Sequence, residues 1–175
     1  ASDVYKRQAV IGTGTMGAGI VQAFAQAGRE VVMKSRSQAS LDKGLAKISK
    51  SLGRLVQKGK MEQQAMDDIL ARITATTDYK DLADADLIIE AAVENMDLKI
   101  EVFKMLDEMC KPETVLATNS SSLSITAIAA ATGRAERVIG MHFFNPAPVM
   151  KLVEVIRGQQ TSDEVFDAIF ALCQE

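Results

Sequence analysis

The chain has little of what metal and redox centres are built from. Its 175 residues include two cysteines and a single histidine. The cysteines, Cys110 and Cys173, lie far apart and fit no zinc or redox spacing. Cysteines used so sparingly are typical of a reducing compartment, so we expect a cytoplasmic protein without a metal site.

Long apolar runs and an excess of one charge sign are also missing. No segment approaches the length of a membrane span, and no secretory signal pattern opens the chain. The net charge of −3 gives no indication of nucleic-acid binding. The length and the apolar content of 47% are those of a single globular domain, so neither a membrane nor a nucleic-acid partner is expected.

Short apolar runs alternate with helical periods along the chain. Strands are predicted at residues 9–11, 30–33, 73–76, 87–91, 115–118, 138–141 and 152–156, and helices at 16–27, 40–58, 62–72, 98–109 and 124–131. This alternation predicts an α/β fold, a doubly wound and mostly parallel sheet with helices on both faces. The two helices near residues 40–72 follow each other directly, so we expect a helical hairpin inserted there.

A glycine-rich loop follows the first predicted strand and opens a helix. Gly12, Gly14 and Gly17 form a G-x-G-x-x-G motif. The first permits a tight turn, the second a close approach of the backbone to a pyrophosphate, and the third close packing of helix on strand. The N–H groups at the helix start, where Thr15 and Met16 lie, would face the phosphates. In this context the motif predicts a Rossmann-type dinucleotide-binding domain.

The end of the second strand bears on the choice of cofactor. The Asp or Glu that would bind the adenosine ribose hydroxyls is absent, and the segment reads Lys34-Ser35-Arg36-Ser37. Serines can donate hydrogen bonds and cations favour a 2′-phosphate, so we expect NADP(H) slightly more than NAD(H). The alternative is that Lys34 and Arg36 are solvated charges and that the ribose is held by the backbone and Ser35.

A stripe of cations follows one face of the predicted helix 40–58. Its members are Lys43, Lys47, Lys50, Arg54 and Lys58, at spacings of 4, 3, 4 and 4. Residues 42–60 contain six cations and one acid in a chain of net charge −3. This concentration favours binding of a polyanionic small molecule, with a merely solvated helix face as an equal alternative.

The one histidine closes an apolar run. His142 follows the predicted strand 138–141, and Asn145 and Glu154 come three and twelve residues later. Because an imidazole exchanges protons near neutrality, His142 is a candidate general base with Glu154 as its orienting partner. A satisfied core histidine is the alternative interpretation.

A serine cluster follows the predicted strand 115–118. The segment 118–122 reads Thr-Asn-Ser-Ser-Ser and leads into a helix. Ligands in α/β sheets bind at the carboxyl ends of the strands, where such groups can polarise a carbonyl or hold a ribose. We expect one serine, Ser122 or Ser124, to cap the helix and another to face the site. A serine nucleophile is not favoured, because the flanks lack a G-x-S-x-G elbow.

Four motifs in this order resemble the 3-hydroxyacyl-CoA dehydrogenase family, and most closely its short-chain 3-hydroxybutyryl-CoA members. They are the glycine loop, Glu90-Ala-Ala-Val-Glu94-Asn95, Asn119-Ser-Ser-Ser-Leu and His142-Phe-Phe-Asn-Pro. The resemblance covers residues 9–175. It implies the interconversion of an L-3-hydroxyacyl-CoA and a 3-ketoacyl-CoA by hydride transfer with a nicotinamide cofactor.

The resemblance also implies roles for individual residues. His142 takes the hydroxyl proton, and Glu154 holds its tautomer and stabilises the imidazolium. Ser121 and Asn145 match positions that contact the substrate oxygen and the nicotinamide end of the cofactor.

Further positions match cofactor and substrate contacts. Glu94 and Lys99 match cofactor-contacting residues. Ser51 and Lys58 match residues that hold the CoA moiety, which agrees with the cationic stripe and brings in Arg54 as a third CoA contact.

The chain departs from the family at both ends. Residues 1–8 do not resemble family sequence, so we expect a leader there and an incomplete NAD(P)-binding domain over 9–175. The family continues into a helical domain that closes the acyl site, supplies a further substrate-contacting Asn and forms a homodimer. We therefore expect dinucleotide binding by this chain but little turnover.

Three alternatives stay open at this point. The domain could come from a multifunctional fatty-acid β-oxidation protein with a hydratase domain upstream. A relative acting on a sugar acid is possible, although the cationic stripe favours CoA. A dinucleotide-binding module without catalysis is the third alternative.

Overall fold

The computed structural model describes residues 7–91, 95–119, 122–143 and 153–173. Within these ranges seven strands form one sheet: β1 (Arg7–Ile11), β2 (Glu30–Lys34), β3 (Ile73–Thr76), β4 (Leu87–Glu90), β5 (Val115–Thr118), β6 (Val138–Phe143) and β7 (Val153–Arg157). The strand order is β3-β2-β1-β4-β5-β6-β7. All neighbours are parallel except β6 and β7, which are antiparallel.

Helices cover both faces of the sheet. They are α1 (Thr15–Gln26), α2 (Gln38–Gln57), α3 (Gln63–Ala71), α4 (Met96–Met109), α5 (Ser122–Ala130) and α6 (Asp163–Cys173), with 3₁₀ turns at Tyr79–Leu82 and Ala135–Arg137. The predicted doubly wound, mostly parallel sheet is confirmed, and α2 and α3 follow each other between β2 and β3 as expected. No helix in the described part of the chain is long and apolar enough to cross a membrane.

Two hydrophobic cores lie on opposite faces of the sheet because successive residues of each strand point to opposite sides. Val10 and Ile89 belong to the core beneath α1, α2, α3 and α6. Their neighbours Ala9 and Ile88 belong to the core beneath α4 and α5. Strands buried on both faces appear in the sequence as continuous apolar runs, and these runs locate the strands well.

Ile125 of α5 fills a notch formed by two glycines. A methyl group at Gly140 in β6 would overlap the Cδ1 atom of Ile125, and one at Gly158 after β7 would lie 2.9 Å from its Cγ2 atom. Ile125 is fully buried there. The two glycines thus admit α5 close to the sheet.

The carboxyl end of α4 is held by Arg134, a buried side chain that follows α5. Its Nε donates to Asp107 Oδ1 at 2.6 Å. Its terminal nitrogens donate to the backbone carbonyls of Asp107, Cys110, Lys111 and Thr114. These bonds satisfy carbonyls that a helix end leaves without a partner.

Candidate functional site

The glycine loop has the two close geometries expected from its spacing. Gly12 has φ of +127°, which favours glycine, and its N–H donates to the Lys34 carbonyl at 2.9 Å. A methyl group at Gly17 would overlap the Gly12 carbonyl oxygen. A methyl group at Gly14 would meet no atom within 4 Å. The loop is therefore compact on its inner side and open at Gly14.

The start of α1 has N–H groups that no N-cap side chain in the described part of the chain accepts from. Its N-cap is Gly14, which has no side chain, and its first turn carries no acidic residue. Thr15 and Met16 begin the helix, and the first intrahelical bond runs from Ala18 N to Gly14 O at 2.9 Å. An uncapped helix start of this kind is suited to bind a pyrophosphate.

Ser35 and Ser37 have different environments. Thr13 Oγ1 donates to Ser35 Oγ at 3.4 Å, which places Ser35 against the glycine loop. Ser37 is the N-cap of α2, and its Oγ accepts from Ser40 N at 3.2 Å. Of the two serines, Ser35 is the one placed for a ribose contact.

The two cations beside these serines also differ. Lys34 is only 4% exposed, and its Nζ lies 3.7 Å from the centroid of the Tyr79 ring. Burial, together with nearby Arg36, lowers the pKa of Lys34 despite the opposing charge of Asp78. The alternative in which Lys34 is a solvated charge is therefore wrong, whereas Arg36 is exposed.

The cationic stripe faces solvent. Lys43, Lys47, Lys50, Arg54 and Lys58 are all exposed, while Leu41, Ile48 and Leu52 on the opposite side of α2 are buried. Ser51 lies apart from the stripe, because its Oγ accepts from Gln22 Nε2 of α1 at 3.0 Å. The structure thus groups Arg54 with Lys58 and turns Ser51 toward α1.

The backbone brings the histidine opposite its predicted partner. β6 extends to Phe143, two residues beyond the predicted strand, because Phe143 pairs with Val153 of β7. The same antiparallel register pairs His142 with Glu154. Residues directly opposite in such a pair lie on one face of the sheet, with Cβ atoms about 4.5–5.5 Å apart. The Glu154 side chain itself lies outside what the structure describes.

One row of residues crosses the sheet near the carboxyl ends of the parallel strands. The register aligns Lys34, Ile11, Glu90, Thr118, Gly140 and Ile156. Side chains of aligned residues point to the same face. His142 lies two residues after Gly140, so it shares this face with Glu90 and Thr118.

A buried ion pair in this row was not predicted from the sequence. Glu90 Oε1 lies 3.0 Å from Lys99 Nζ and accepts from Thr118 Oγ1 at 3.1 Å. The side chains of Glu90 and Lys99 are 1% and 9% exposed. The available signal was a carboxylate that ends the otherwise apolar strand Leu87–Glu90, nine residues before a lysine.

Asn119 follows this row at the end of β5. Its Oδ1 is buried and has no hydrogen-bond partner among the residues that the structure describes. Buried acceptors are normally satisfied, so this oxygen marks a place for a donor from a ligand or water. It lies at the edge of the sheet where the serine cluster is predicted to bind ligands.

Three predicted site residues, Glu94, Ser121 and Asn145, lie outside the described residues. A cavity of about 210 Å³ opens at the opposite edge of the sheet, among the first residues of the strands. Arg7, Glu30 and Arg72 contribute to its lining, and no predicted site residue does. The candidate site is distinct from this cavity and lies at the carboxyl edge of the sheet, where α/β sheets form a ligand-binding crevice at the reversal of strand order.

Comparisons with known proteins point to one family. Residues 7–175 match the family described as 3-hydroxyacyl-CoA dehydrogenase, NAD binding domain. A 3-hydroxybutyryl-CoA dehydrogenase of Clostridioides difficile is 59% identical over 164 residues, which are 94% of this chain and 58% of that protein. The chain therefore spans little more than half the length of this relative.

Solved structures agree. The crystal structure of (S)-3-hydroxybutyryl-CoA dehydrogenase from Ralstonia eutropha is 48% identical with a TM-score of 0.93, over 97% of this chain and 60% of that one. The 3-hydroxybutyryl-CoA dehydrogenase from Escherichia coli K12 is 46% identical with a TM-score of 0.94, over 97% of this chain and 36% of that one.

Proposed function

Since the chain belongs to the 3-hydroxyacyl-CoA dehydrogenase family through its NAD-binding domain, we propose that it is the cofactor-binding part of an oxidoreductase acting on short 3-hydroxyacyl-CoA esters. The reaction interconverts an L-3-hydroxyacyl-CoA, with 3-hydroxybutyryl-CoA as the proposed substrate, and its 3-ketoacyl-CoA. The observation that carries this proposal is the register that pairs His142 with Glu154 at the same sheet edge as the glycine loop.

The residues of the crevice fit a nicotinamide dinucleotide. The uncapped start of α1 and the open space beside Gly14 suit its pyrophosphate. Ser35 lies where the adenosine ribose is expected, and exposed Arg36 supports a 2′-phosphate, hence NADP(H). When bound, the nicotinamide exchanges a hydride with C3 of the substrate.

His142 and Glu154 are the residues proposed for the proton transfer of this reaction. A ring nitrogen of His142 accepts the proton of the C3 hydroxyl in the oxidation and returns it in the reduction. Glu154, directly opposite in the register, keeps the imidazole in one tautomer and stabilises its protonated form. A carboxylate in this role orients the imidazole and does not take the proton itself.

The remaining predicted residues would position the two ligands. Ser121 and Asn145 would contact the substrate oxygen and the nicotinamide end, and Glu94 and Lys99 the cofactor. The CoA moiety would be held by Ser51, Arg54 and Lys58, of which the two cations are exposed and free to meet its phosphates.

Other parts of the proposal concern the whole protein. We propose a cytoplasmic enzyme in which a helical domain outside this chain completes the acyl site and forms a homodimer. Attachment to a multifunctional fatty-acid oxidation protein remains a second arrangement of the same activity. Neither arrangement changes the roles proposed for the crevice.

A chimera tests the activity. This chain would be joined to the segment of the Clostridioides difficile relative that follows the matched region. Within the matched region the two proteins are 59% identical. Acetoacetyl-CoA and the reduced cofactor would be turned over by the chimera and not by the chain alone. His142→Ala should reduce kcat about 10²–10⁴-fold and leave dinucleotide affinity unchanged.

Three results would contradict the proposal or a part of it. Appreciable turnover by the 175-residue chain alone would refute the incomplete site. Unchanged turnover in His142→Ala would refute the role of His142 as general base. A chimera that binds dinucleotide but catalyses no reaction would favour the non-catalytic module.

A further inference from the structure

The Glu90–Lys99 pair lies at the crevice between β1 and β4. Glu90 aligns with Ile11, the residue before Gly12, and Ala91 N donates to Ile11 O at 2.9 Å. The strand order reverses at this point, since β2 and β4 lie on either side of β1. Dinucleotides bind across this kind of reversal in doubly wound sheets. The pair is therefore part of the candidate site's floor.

The pair belongs to the nicotinamide half of the crevice. The adenosine half is marked by Ser35 beyond β2, on one side of the glycine loop. Glu90, Thr118 and His142 belong to β4, β5 and β6, on the other side. They share one face of the sheet, which places the buried charges in the same half as the candidate general base.

Stability alone does not account for an ion pair in this position. Glu90 and Lys99 border an apolar core that includes Phe103 and Leu106. Replacing a buried pair by apolar residues of similar volume is often neutral or stabilising, because both charges lose their hydration on burial. Removing one partner is costly, because it leaves the other charge without compensation.

We propose that Glu90 is a positioning residue that holds Lys99 and balances its charge. In this way Glu90 lowers the electrostatic cost of binding the oxidised nicotinamide ring. This inference rests on the proposed function, because it requires a nicotinamide in the crevice. The oxidised ring carries a positive charge and the reduced ring does not. An ammonium group without a counter-ion in this low-dielectric layer would repel only the oxidised form.

The ratio of two dissociation constants, oxidised over reduced cofactor, isolates this effect. Glu90→Gln removes one negative charge beside Lys99, which disfavours the positively charged ring, and should raise the ratio on the order of tenfold relative to the unmodified chain. Lys99→Met leaves the carboxylate and should lower the ratio. The double variant removes both charges and should restore it.

Thr118→Val is the matched control, because it removes the hydroxyl that donates to Glu90 and changes no charge. It should weaken the binding of both cofactor forms alike. The ratio should stay within about twofold of its original value, because no charge changes. Calorimetric titrations with NADP⁺ and NADPH, and with NAD⁺ and NADH, measure the constants.

A measurement on the unmodified chain covers the case in which the single variants do not fold. In a lysine-labelled sample, the Nζ resonance of Lys99 should differ between the oxidised and reduced complexes. Lys104, exposed on the same helix, should give the same resonance in both. Equal behaviour of the two lysines would overturn the inference.

The outcomes separate this inference from the proposed function. If the unmodified chain binds none of the four dinucleotides, the proposed function fails and the inference fails with it. If the chain binds both redox forms and folded Glu90→Gln leaves their ratio unchanged, only the inference fails. A ratio that rises in Glu90→Gln and returns in the double variant supports it.

Discussion

His142 lies directly opposite Glu154 on adjacent antiparallel strands, although the two residues are twelve positions apart in the sequence. The pairing depends on β7, the one strand that runs against its neighbour. A parallel last strand would have left the carboxylate at the other edge of the sheet. The direction of one strand therefore decides whether the imidazole has an acidic neighbour.

Removing the charge of Glu154 should slow the proposed reaction. In the chimera, Glu154→Gln should lower kcat roughly tenfold or more, because an amide does not stabilise the protonated imidazole as a carboxylate does. Glu164→Gln, at an exposed position of α6, is the matched control and should leave kcat unchanged. Equal kcat in both variants would refute the pairing.

Substitutions at two glycines of the loop should separate folding from binding. Gly17→Ala should lower the free energy of unfolding by about 1–3 kcal/mol, since the added methyl overlaps the Gly12 carbonyl. Gly14→Ala should keep the stability and weaken dinucleotide binding, because the methyl occupies the space proposed for the pyrophosphate.

Urea unfolding and calorimetric titration measure the two effects. Gly53→Ala is the control. Gly53 lies within α2, and a methyl group added there would meet no atom within 4 Å. It should be neutral or stabilising and should leave binding unaffected. Tight dinucleotide binding by Gly14→Ala would rule out the proposed pyrophosphate position.

Arg36 should decide the preference between the two cofactors. Arg36→Ala should reduce the affinity for NADPH relative to NADH by roughly 10–100-fold, because a charge-assisted contact to the 2′-phosphate is lost. Lys104→Ala, which removes an exposed cation on α4, should change neither affinity. An unmodified chain that prefers NADH would show that Arg36 is a solvated charge.

The Asp107–Arg134 pair should make stability depend on pH in the acid range. Burial raises the pKa of Asp107, but hydrogen bonds from Gly133 N and Arg134 and the Arg134 charge outweigh it, so the pKa lies below its usual value. The folded protein therefore binds fewer protons here than the unfolded chain. The stabilisation is complete above the unfolded pKa of about 3.9 and is lost as the pH falls through the folded pKa.

Two variants check this assignment. Asp107→Asn should lower the free energy of unfolding at pH 7 and flatten its decline between about pH 5 and pH 2. Arg134→Met should cost about 3 kcal/mol, because the partly buried Asp107 carboxylate loses its counter-charge and several carbonyls lose their donor. Asp167→Asn, exposed on α6, is the control and should behave as the unmodified chain. If Asp107→Asn loses stability in acid as the unmodified chain does, that loss comes from other carboxyl groups.

The layers of the fold and the glycine loop could be predicted because their patterns are local. Apolar runs such as Val115–Thr118 are buried on both faces, and the spacing of Gly12 and Gly17 is set by one turn. The end of β6 was predicted two residues early, because Phe143 is held in the strand by Val153. That partner comes from another part of the chain.

Side-chain environments were harder to predict than elements. For Lys34 the sequence left open a cation facing a 2′-phosphate and a solvated charge, yet Tyr79, 45 residues later, covers it. The resemblance matches Ser51 to a CoA contact, and the sequence did not show that Gln22 of α1 would bind it. Glu90 was missed because its partners Lys99 and Thr118 come from two other elements. These contacts depend on how distant elements meet, which periodicity does not report.

The notch that holds Ile125 has a consequence for the serine cluster. α5 begins at Ser122, only three residues before Ile125, so the depth to which this apolar side chain enters the sheet sets where the helix starts. The backbone of this first turn is therefore positioned by a purely hydrophobic fit. A larger residue at Gly140 would shift the turn, so a substitution in the apolar core would alter the carboxyl edge of the sheet.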